Sequence, residues 1–320
     1  MPFLRSTVMK LLLAFSLLLA FSTAHAAYPL TIQHAQGSLT LTEPPKRVAV
    51  FDLAVLDTLD ALRVQVSGVP RLSGPEHLKK YQSQEYVQVG TLFEPDYAAL
   101  EALQPDLIII GGRSRGTYEK LAALAPTMDL TLAPERFVEG VRDNLQLLGK
   151  VFEQEQRAAQ LDAELRQALA TVQGKTKGLS SVTLFSINGA IMTHAPGERF
   201  GMLYELLGTR STAEAGEAMP SGQPRPAADS PEAKQMRENQ RARLDAALAQ
   251  QPDWLVVLDR GAATGGEGKA AETLGNDAGV AATAAWQQGK VYYLDPAAWY
   301  TATGGYQGLM TTLEEFGAAL

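Results

Sequence analysis

Two arginines occupy the same position in two copies of one sequence phrase. The first copy runs from Gln104 to Arg113 and the second from Gln251 to Arg260. Each copy follows an Ala/Leu-rich stretch and continues with a Pro-Asp pair, a short apolar run and an arginine eight residues after the proline. Arginine is always protonated, and its guanidinium offers several hydrogen-bond donors in a fixed plane. Such groups suit the binding of an anion, provided that the fold brings them together.

The apolar run before each arginine predicts a buried strand. A continuous apolar run of this length, bounded by turn residues, is typical of a strand covered on both faces in a parallel sheet. Each arginine then falls where its strand ends, and ligands of open α/β sheets bind outside the carboxyl ends of the strands. If two similar lobes face each other, we expect Arg113 and Arg260 to converge on one cleft.

Strand and helix patterns alternate on both sides of one long helical pattern. Residues 27–136 predict an N-terminal α/β lobe, and residues 174–320 predict a C-terminal α/β lobe. Between them, residues 137–173 carry apolar positions at helical spacing without a proline, which predicts one long bridging helix. The expected fold class is therefore α/β, with two Rossmann-like lobes held by a stiff helix rather than by a loose linker.

Residues 1–26 have the pattern of a secretory signal peptide. Arg5 and Lys10 form a basic start, a short apolar run follows, and Ala24-His25-Ala26 is a small-x-small cleavage site. The chain has no cysteine, so we expect neither a lipid-anchoring cysteine after this site nor a disulfide. The expectation is a cleaved, free protein of the periplasm that is not anchored to a membrane.

Composition and motifs exclude several function classes. The formal net charge is −7 at pH 7, and loss of Arg5 and Lys10 with the signal peptide would make it −9. This acidic balance argues against nucleic acid or an anionic membrane as a partner. No Ser-His-Asp order, cofactor fingerprint or metal motif indicates an enzyme, and the four histidines are too scattered for a bare zinc or manganese site. Asp52, Asp57 and Asp60 are close in sequence, but their helical spacing does not require them to converge.

Five stretches, in order along the chain, resemble one family. The sequence is similar to the periplasmic binding proteins of iron-siderophore ABC importers. Within them it is most similar to the branch for catecholate and mixed catecholate-carboxylate siderophores, such as petrobactin. The shared stretches are Val50–Leu62, the helix-Pro-Asp-strand segment that ends in Gly111–Arg113, Glu198–Gly201, Val257–Arg260 and Tyr293–Tyr300. The resemblance implies a class III fold, in which two α/β lobes close to a limited extent on a ferric siderophore.

The resemblance also implies which residues bind the ligand. The family's arginines correspond to Arg113, Arg199 and Arg260. A ferric catecholate complex is an anion, and guanidinium groups can hydrogen-bond its oxygens and stack on its rings. The family's tyrosine corresponds to Tyr300, either as a cleft residue or as an iron ligand. The family's histidine has no counterpart, because residues 213–242 contain none, and this leaves direct coordination of iron by the protein open.

Partners follow from the same resemblance. Iron would enter as Fe(III) within the siderophore complex, with no intrinsic cofactor, and the loaded protein would deliver it to an inner-membrane ABC permease and its ATPase. Family members act as monomers and dock through one acid on each lobe. The corresponding acid of the second lobe is Asp245. The corresponding residue of the first lobe is Ala98, so the neighbouring Asp96 or Glu94 would have to substitute.

The residues leave the identity of the ligand open. Another iron chelate, haem or cobalamin is the main alternative, although a haem does not need three arginines. Neither the siderophore itself nor the number of donor atoms that it supplies to iron is specified. His194, five residues before Arg199, is an alternative second ligand beside Tyr300 if the siderophore leaves iron incompletely coordinated.

Overall fold

The structure is a computed structural model, and it describes residues 28–71, 74–216 and 226–320. The predicted signal peptide, residues 1–26, lies outside the described residues. Within the described ranges, no helix is both long enough and apolar enough to cross a membrane. Two parallel sheets with packed helices form two lobes, so the predicted α/β class with two lobes is confirmed.

The N-terminal lobe is built on a five-stranded parallel sheet. Its elements are β1 (Leu30–His34), β2 (Gly37–Leu41), β3 (Val48–Val50), α1 (Leu53–Ala61), β4 (Gly68–Val69), β5 (Val87–Gln88), α2 (Tyr97–Leu103), β6 (Leu107–Ile110), α3 (Tyr118–Ala122) and β7 (Thr127–Asp129), with 3-10 turns at Glu76–Gln82, Arg115–Thr117 and Pro134–Arg136. The strand order is β5-β4-β3-β6-β7, and the antiparallel β1–β2 hairpin forms a separate small sheet. Every residue of β6 is buried, as the apolar run before Arg113 predicts.

Two helices follow this lobe where the sequence predicts one. They are α4 (Phe137–Val151) and α5 (Glu155–Thr176), and they are separated at Glu153, whose φ of 55° lies in the left-handed region. The prediction of a single helix over residues 137–173 is therefore wrong. The bridging element is α5, which leads directly to the second lobe.

Packing between α4 and α5 explains the break. Arg142 of α4 donates from Nε to Oδ1 of Asp162 on α5 at 2.5 Å. On one straight helix these residues would lie about 30 Å apart, so the pair requires the chain to turn back. Gly149 allows the close approach, because a Cβ there would lie 2.5 Å from the Cβ of Ala158.

The C-terminal lobe repeats the architecture of the first. Its elements are β8 (Ser180–Ile187), β9 (Ala190–His194), α6 (Met202–Leu207), β10 (Arg210–Ser211), α7 (Pro231–Ala249), β11 (Trp254–Asp259), α8 (Arg260–Ala263), α9 (Ala270–Gly275), α10 (Ala278–Ala281), α11 (Ala284–Gln287), β12 (Val291–Tyr293), α12 (Pro296–Tyr300) and α13 (Tyr306–Ala319). The order β10-β8-β11-β12 is parallel throughout, and β9 pairs antiparallel with β8.

The two copies of the repeated phrase have matching local structure. Gln104 and Gln251 both have a left-handed backbone with φ of 49°. Asp106 then accepts hydrogen bonds from the backbone just before β3, and Asp253 accepts them from Ser180 at the start of β8. In each lobe the aspartate thus links the start of the strand in the repeated phrase to the neighbouring strand. The arginine follows at the other end of the same strand.

Helix α5 is the first brace between the lobes. Near its start, Arg157 donates from Nε to the carbonyl of Ala61 in the N-terminal lobe at 3.2 Å. At its end, the hydroxyl of Thr176 donates to the carbonyl of Leu207 in the C-terminal lobe at 2.7 Å. One rigid helix is therefore anchored in both lobes.

Helix α13 is the second brace, and the buried carboxylate of Asp57 caps it from the other lobe. Asp57 lies on α1 with 0% exposure, and it accepts from the N–H groups of Gln307 at 2.6 Å and Gly308 at 3.3 Å. Its other neighbour is His77, whose Nε2 lies 2.9 Å from Oδ2, and this hydrogen bond raises the pKa of His77. Gly305, the residue before α13, has no side chain to cap the helix and leaves room for the carboxylate.

We expect Asp57→Ala to lower the free energy of unfolding by about 1–3 kcal/mol, because the N–H groups of Gln307 and Gly308 lose their buried acceptor. Urea unfolding followed by circular dichroism measures the loss. The matched control is Asp96→Ala, which removes the exposed cap of α2 and should cost about 1 kcal/mol or less. A loss for Asp57→Ala no larger than that of the control would contradict the bracing role.

Candidate functional site

Tyr300 lies at the centre of the residues that the sequence selects. The centroid of its ring lies 5.7, 4.9 and 5.8 Å from the guanidinium carbons of Arg113, Arg199 and Arg260, respectively. Arg260 also donates a hydrogen bond from Nε to the Tyr300 hydroxyl at 3.1 Å. We call these four residues the arginine cluster. Its members come from both lobes, so the cluster spans the cleft between them.

Arg113 reaches the cluster from the end of β6. Its guanidinium donates to the backbone carbonyls of Tyr300 and Thr301, the latter at 3.1 Å, and so crosses from one lobe to the other. Gly111 has no room for a side chain, because a Cβ there would lie 2.0 Å from Oδ2 of Asp52. The Gly-Gly-Arg sequence therefore lets the chain leave the strand past the carboxylate of Asp52 and place the arginine in the cleft.

In the C-terminal lobe an acid precedes each arginine but is engaged elsewhere. Glu198, next to Arg199, pairs with Arg243 at 2.8 Å. Asp259, next to Arg260, accepts backbone N–H groups at the starts of α8 and α9 at 3.2 and 2.7 Å. These carboxylates shape the loops and leave the adjacent guanidinium groups facing the cleft.

The arginine cluster concentrates positive charge. Among the described residues, no carboxylate forms an ion pair within 4.0 Å of Arg113, Arg199 or Arg260. Burial and the charge of Arg199 lower the pKa of Arg113, although arginine stays protonated at neutral pH. Like charges held this close in a half-buried cleft favour a ligand that supplies negative charge.

The same charges act on the phenol of Tyr300. Burial alone would raise its pKa, but the hydrogen bond from Arg260 and the charges of Arg260 and Arg199 outweigh burial and lower the pKa. Phe185 stacks on the ring, with centroids 6.2 Å apart and planes inclined by 13°. The phenol oxygen is thus held in one place, in an environment that stabilises its anion.

A cavity of about 300 Å³ lies beside the cluster, between the lobes. Arg113 and Arg199 form part of its wall, together with the start of α1, the loop after β7, helix α4 and the chain after α12. Most of the lining is apolar, and includes Val55, Leu130, Leu132, Phe137, Val141 and Leu148. The guanidinium groups of Arg113 and Arg199 therefore border a largely apolar space.

His194 lies one aromatic ring away from the cluster. Its ring contacts the edges of Phe185 and Phe200, with centroid distances of 5.9 and 5.1 Å. Its Nε2 is buried without a hydrogen-bond partner among the described residues. Burial lowers the pKa of His194 to about 4, so the imidazole is neutral at pH 7. Its use as a second iron ligand stays a prediction.

The two acids expected to face a permease have local partners as well. Asp96 is exposed and caps α2, where it accepts from the N–H of Ala99 at 3.0 Å. Asp245 on α7 is about half exposed and pairs with Arg241, which also contacts Asp277. A test of docking must therefore keep the cap of α2 at position 96 and must not place a positive charge at position 96 or 245.

Known proteins resemble this chain over both lobes. The sequence model of the periplasmic binding protein family matches residues 48–298. The petrobactin-binding protein YclQ of Bacillus subtilis is 28% identical over 292 residues, covering 89% of this chain and 86% of the relative. The ferric-anguibactin-binding protein FatB of Vibrio anguillarum is 27% identical over 299 residues, covering 90% and 86%.

Solved structures agree with these sequence matches. The crystal structure of YclQ superimposes with a TM-score of 0.78 at 27% identity, covering 90% of this chain and 97% of that chain. The periplasmic catecholate-siderophore-binding protein VctP of Vibrio cholerae superimposes with a TM-score of 0.77 at 26% identity, covering 90% and 99%. The likeness therefore includes the relative placement of both lobes.

We expect Tyr300 of the ligand-free protein to ionise below the usual tyrosine pKa of about 10, because of the arginines around it. Ultraviolet pH titration of phenolate absorbance measures this transition. Tyr300→Phe should remove it, and Arg260→Gln should shift it to higher pH, since the phenol loses its hydrogen bond. The control is Tyr293→Phe, because burial raises the pKa of Tyr293. Persistence of the lowest transition in Tyr300→Phe would assign it to another tyrosine.

Proposed function

This chain belongs to the periplasmic binding protein family, and on that premise we propose that it captures an anionic ferric siderophore in the cleft between its lobes. The siderophore is of the catecholate or mixed catecholate-carboxylate type. The observation that carries this proposal is the convergence of three guanidinium groups on one phenol. The named relatives that span both lobes bind petrobactin and ferric anguibactin, which supports the same ligand class.

The chemistry of the arginine cluster matches that of a ferric catecholate. Such a complex spreads negative charge over phenolate oxygens on planar rings. Guanidinium groups form charge-assisted hydrogen bonds to such oxygens and also stack on the rings. A ligand without a net negative charge, such as cobalamin, would leave most of the positive charge of the cluster unopposed, and this disfavours cobalamin as the ligand.

Tyr300 is the protein's own candidate iron ligand. A siderophore that supplies fewer than six donor atoms leaves positions on Fe(III) open, and the phenol oxygen of Tyr300 lies within the cluster that would hold the complex. The arginines lower the pKa of this phenol, so the anionic form that binds iron is favoured. Fe(III) is here part of the bound complex and not a resident cofactor.

Delivery completes the function. The loaded protein, free in the periplasm after removal of residues 1–26 and acting as a monomer, docks on an inner-membrane ABC permease with its ATPase. Asp245 and Asp96 present negative charge on the two lobes for this encounter. Charge complementarity acts mainly on orientation and on the rate of association, so these acids serve transport rather than siderophore affinity.

Replacing Arg113, Arg199 or Arg260 by Ala should weaken binding of a ferric catecholate by roughly 1.5–3 kcal/mol each, as for charge-assisted hydrogen bonds. Quenching of tryptophan fluorescence in a titration measures the affinity. Arg115→Ala is the control, because Arg115 is about half exposed and lies near Asp129 rather than in the cluster. An effect of Arg115→Ala as large as that of Arg113→Ala would contradict the assigned site.

If Tyr300 binds iron, Tyr300→Phe should abolish a phenolate-to-iron charge-transfer band. It should also weaken ferric complexes of tetradentate catecholates more than those of hexadentate ones, because only the former need the extra ligand. Visible absorption and quenching titrations measure the two effects. An equal loss for both ligand classes would make Tyr300 a packing or hydrogen-bonding residue.

Asp245→Asn and Asp96→Asn should leave siderophore affinity unchanged and slow uptake of the ferric complex. Asparagine retains the cap of α2 at position 96 and removes one negative charge at either position. Affinity is measured on the purified variant, and uptake is measured in cells that produce the same variant. Normal uptake through both variants would remove the docking role, and a parallel loss of affinity would assign these residues to the stability of their lobes.

A further inference from the structure

One carboxylate faces the cavity beside the arginine cluster. Asp52 forms part of the cavity wall, and its Oδ1 accepts from the N–H groups of Ala54 at 2.9 Å and Val55 at 3.0 Å. Its Oδ2 packs against Gly111, and no residue in the described part of the chain donates a hydrogen bond to it. Burial raises the pKa of Asp52, and the two N–H groups and the charge of Arg113 act in the opposite direction.

A second acceptor lies on the same wall. Asn144 also lines the cavity; it donates from Nδ2 to the carbonyl of Leu130 at 3.1 Å, so its side-chain oxygen is left as an acceptor. The guanidinium of Arg113, whose charge acts on Asp52, donates to the carbonyls of Tyr300 and Thr301 instead. The cavity therefore combines apolar walls with hydrogen-bond acceptors that receive no donor from the described residues.

Capping alone does not account for an aspartate at this position. Serine or asparagine caps a helix about as well as aspartate, and neither places a charge beside an apolar cavity. A carboxylate oxygen that lies beside apolar walls and has no donor from the protein gains a hydrogen bond when a donor enters the cavity. Because Asp52 forms part of the cavity wall, a ligand in the cavity can supply this donor.

We propose that the cavity holds the linker that joins the iron-binding groups of the siderophore, and that Asp52 selects linkers with a protonated amine. The proposal rests on the proposed function, since it assumes that the ferric group lies at the arginine cluster. Arg113 and Arg199 belong both to the cluster and to the cavity wall, so a ligand on the arginines lies at the entrance to this space. The arginine cluster would then bind the negatively charged part of the ligand, and Asp52 would bind its positively charged part.

The test uses two synthetic bis-catecholates with linkers of equal length. One linker is an aliphatic chain with a central secondary amine, and in the other a methylene group replaces the amine. Quenching titrations with the two ferric complexes should show that the wild-type protein prefers the amine linker by roughly tenfold, the value of one added charge pair. In Asp52→Asn, which retains the cap, the ratio of the two affinities should fall to about one. Asp52→Ser, which also retains a cap, should behave in the same way.

The outcomes separate this proposal from the proposed function. Tight binding of both complexes without a preference, or an unchanged preference in both Asp52 variants, would overturn the role of Asp52 and leave siderophore capture intact. Failure of the wild-type protein to bind either complex would overturn both proposals. Thermal unfolding of the variants shows whether they are folded. A ratio of the two affinities near one in a folded variant supports the role of Asp52.

Discussion

The buried carboxylate of Asp57 holds the first turn of α13 against α1 of the opposite lobe, and the geometry of the cleft depends on this contact. Helix α5 adds a second connection, and the Arg113 guanidinium adds a third through its bonds to the chain after α12. These contacts fix the distance between the two sheet edges at which the arginines emerge. A cluster drawn from two lobes keeps its shape only if the lobes cannot swing freely, so such braces favour small rather than large relative motion.

The site that these braces hold is electrostatically unfavourable without a ligand. Three guanidinium groups surround one ring, and the nearest acids in sequence, Glu198 and Asp259, serve loops and helix starts instead. The stability of the fold therefore has to hold the like charges together, which is a common feature of binding sites. An anionic ligand relieves this repulsion, and the same field favours the phenolate of Tyr300. The positive charge of the arginine cluster is thus the single cause of two properties: it favours an anionic ligand, and it lowers the pKa of the Tyr300 phenol.

Local sequence was sufficient to predict the parts of the site that local structure determines. The repeated phrase predicts two strand ends with arginines, and Arg113 and Arg260 do lie there, because the Pro-Asp turn and the apolar run act over a few residues. Arg199 and Tyr300 were identified only through family resemblance, since neither ends a copy of the repeated phrase. The break after α4 was not predictable, because the pattern over residues 137–173 continues through it and a distant ion pair decides the turn.

The limit of prediction from sequence is also seen at Asp52, which caps α1, and at Asp57 and Asp60 within α1. Their spacing gives no sign that Asp57 caps a helix 250 residues away, that Asp52 borders the cavity, or that Asp60 accepts a hydrogen bond from Tyr81. Each role comes from a partner in another element. The positions of charged residues were readable from sequence, but their chemical environments required the folded structure.

The central claim is that the arginine cluster makes this cleft selective for an anionic ferric siderophore. Titration of one preparation with ferric catecholates, haemin and cobalamin, followed by tryptophan quenching, tests it most directly. The account predicts that ferric catecholates saturate the protein at the lowest concentration. Tighter binding of haemin or cobalamin, with no saturation by any ferric catecholate, would contradict it.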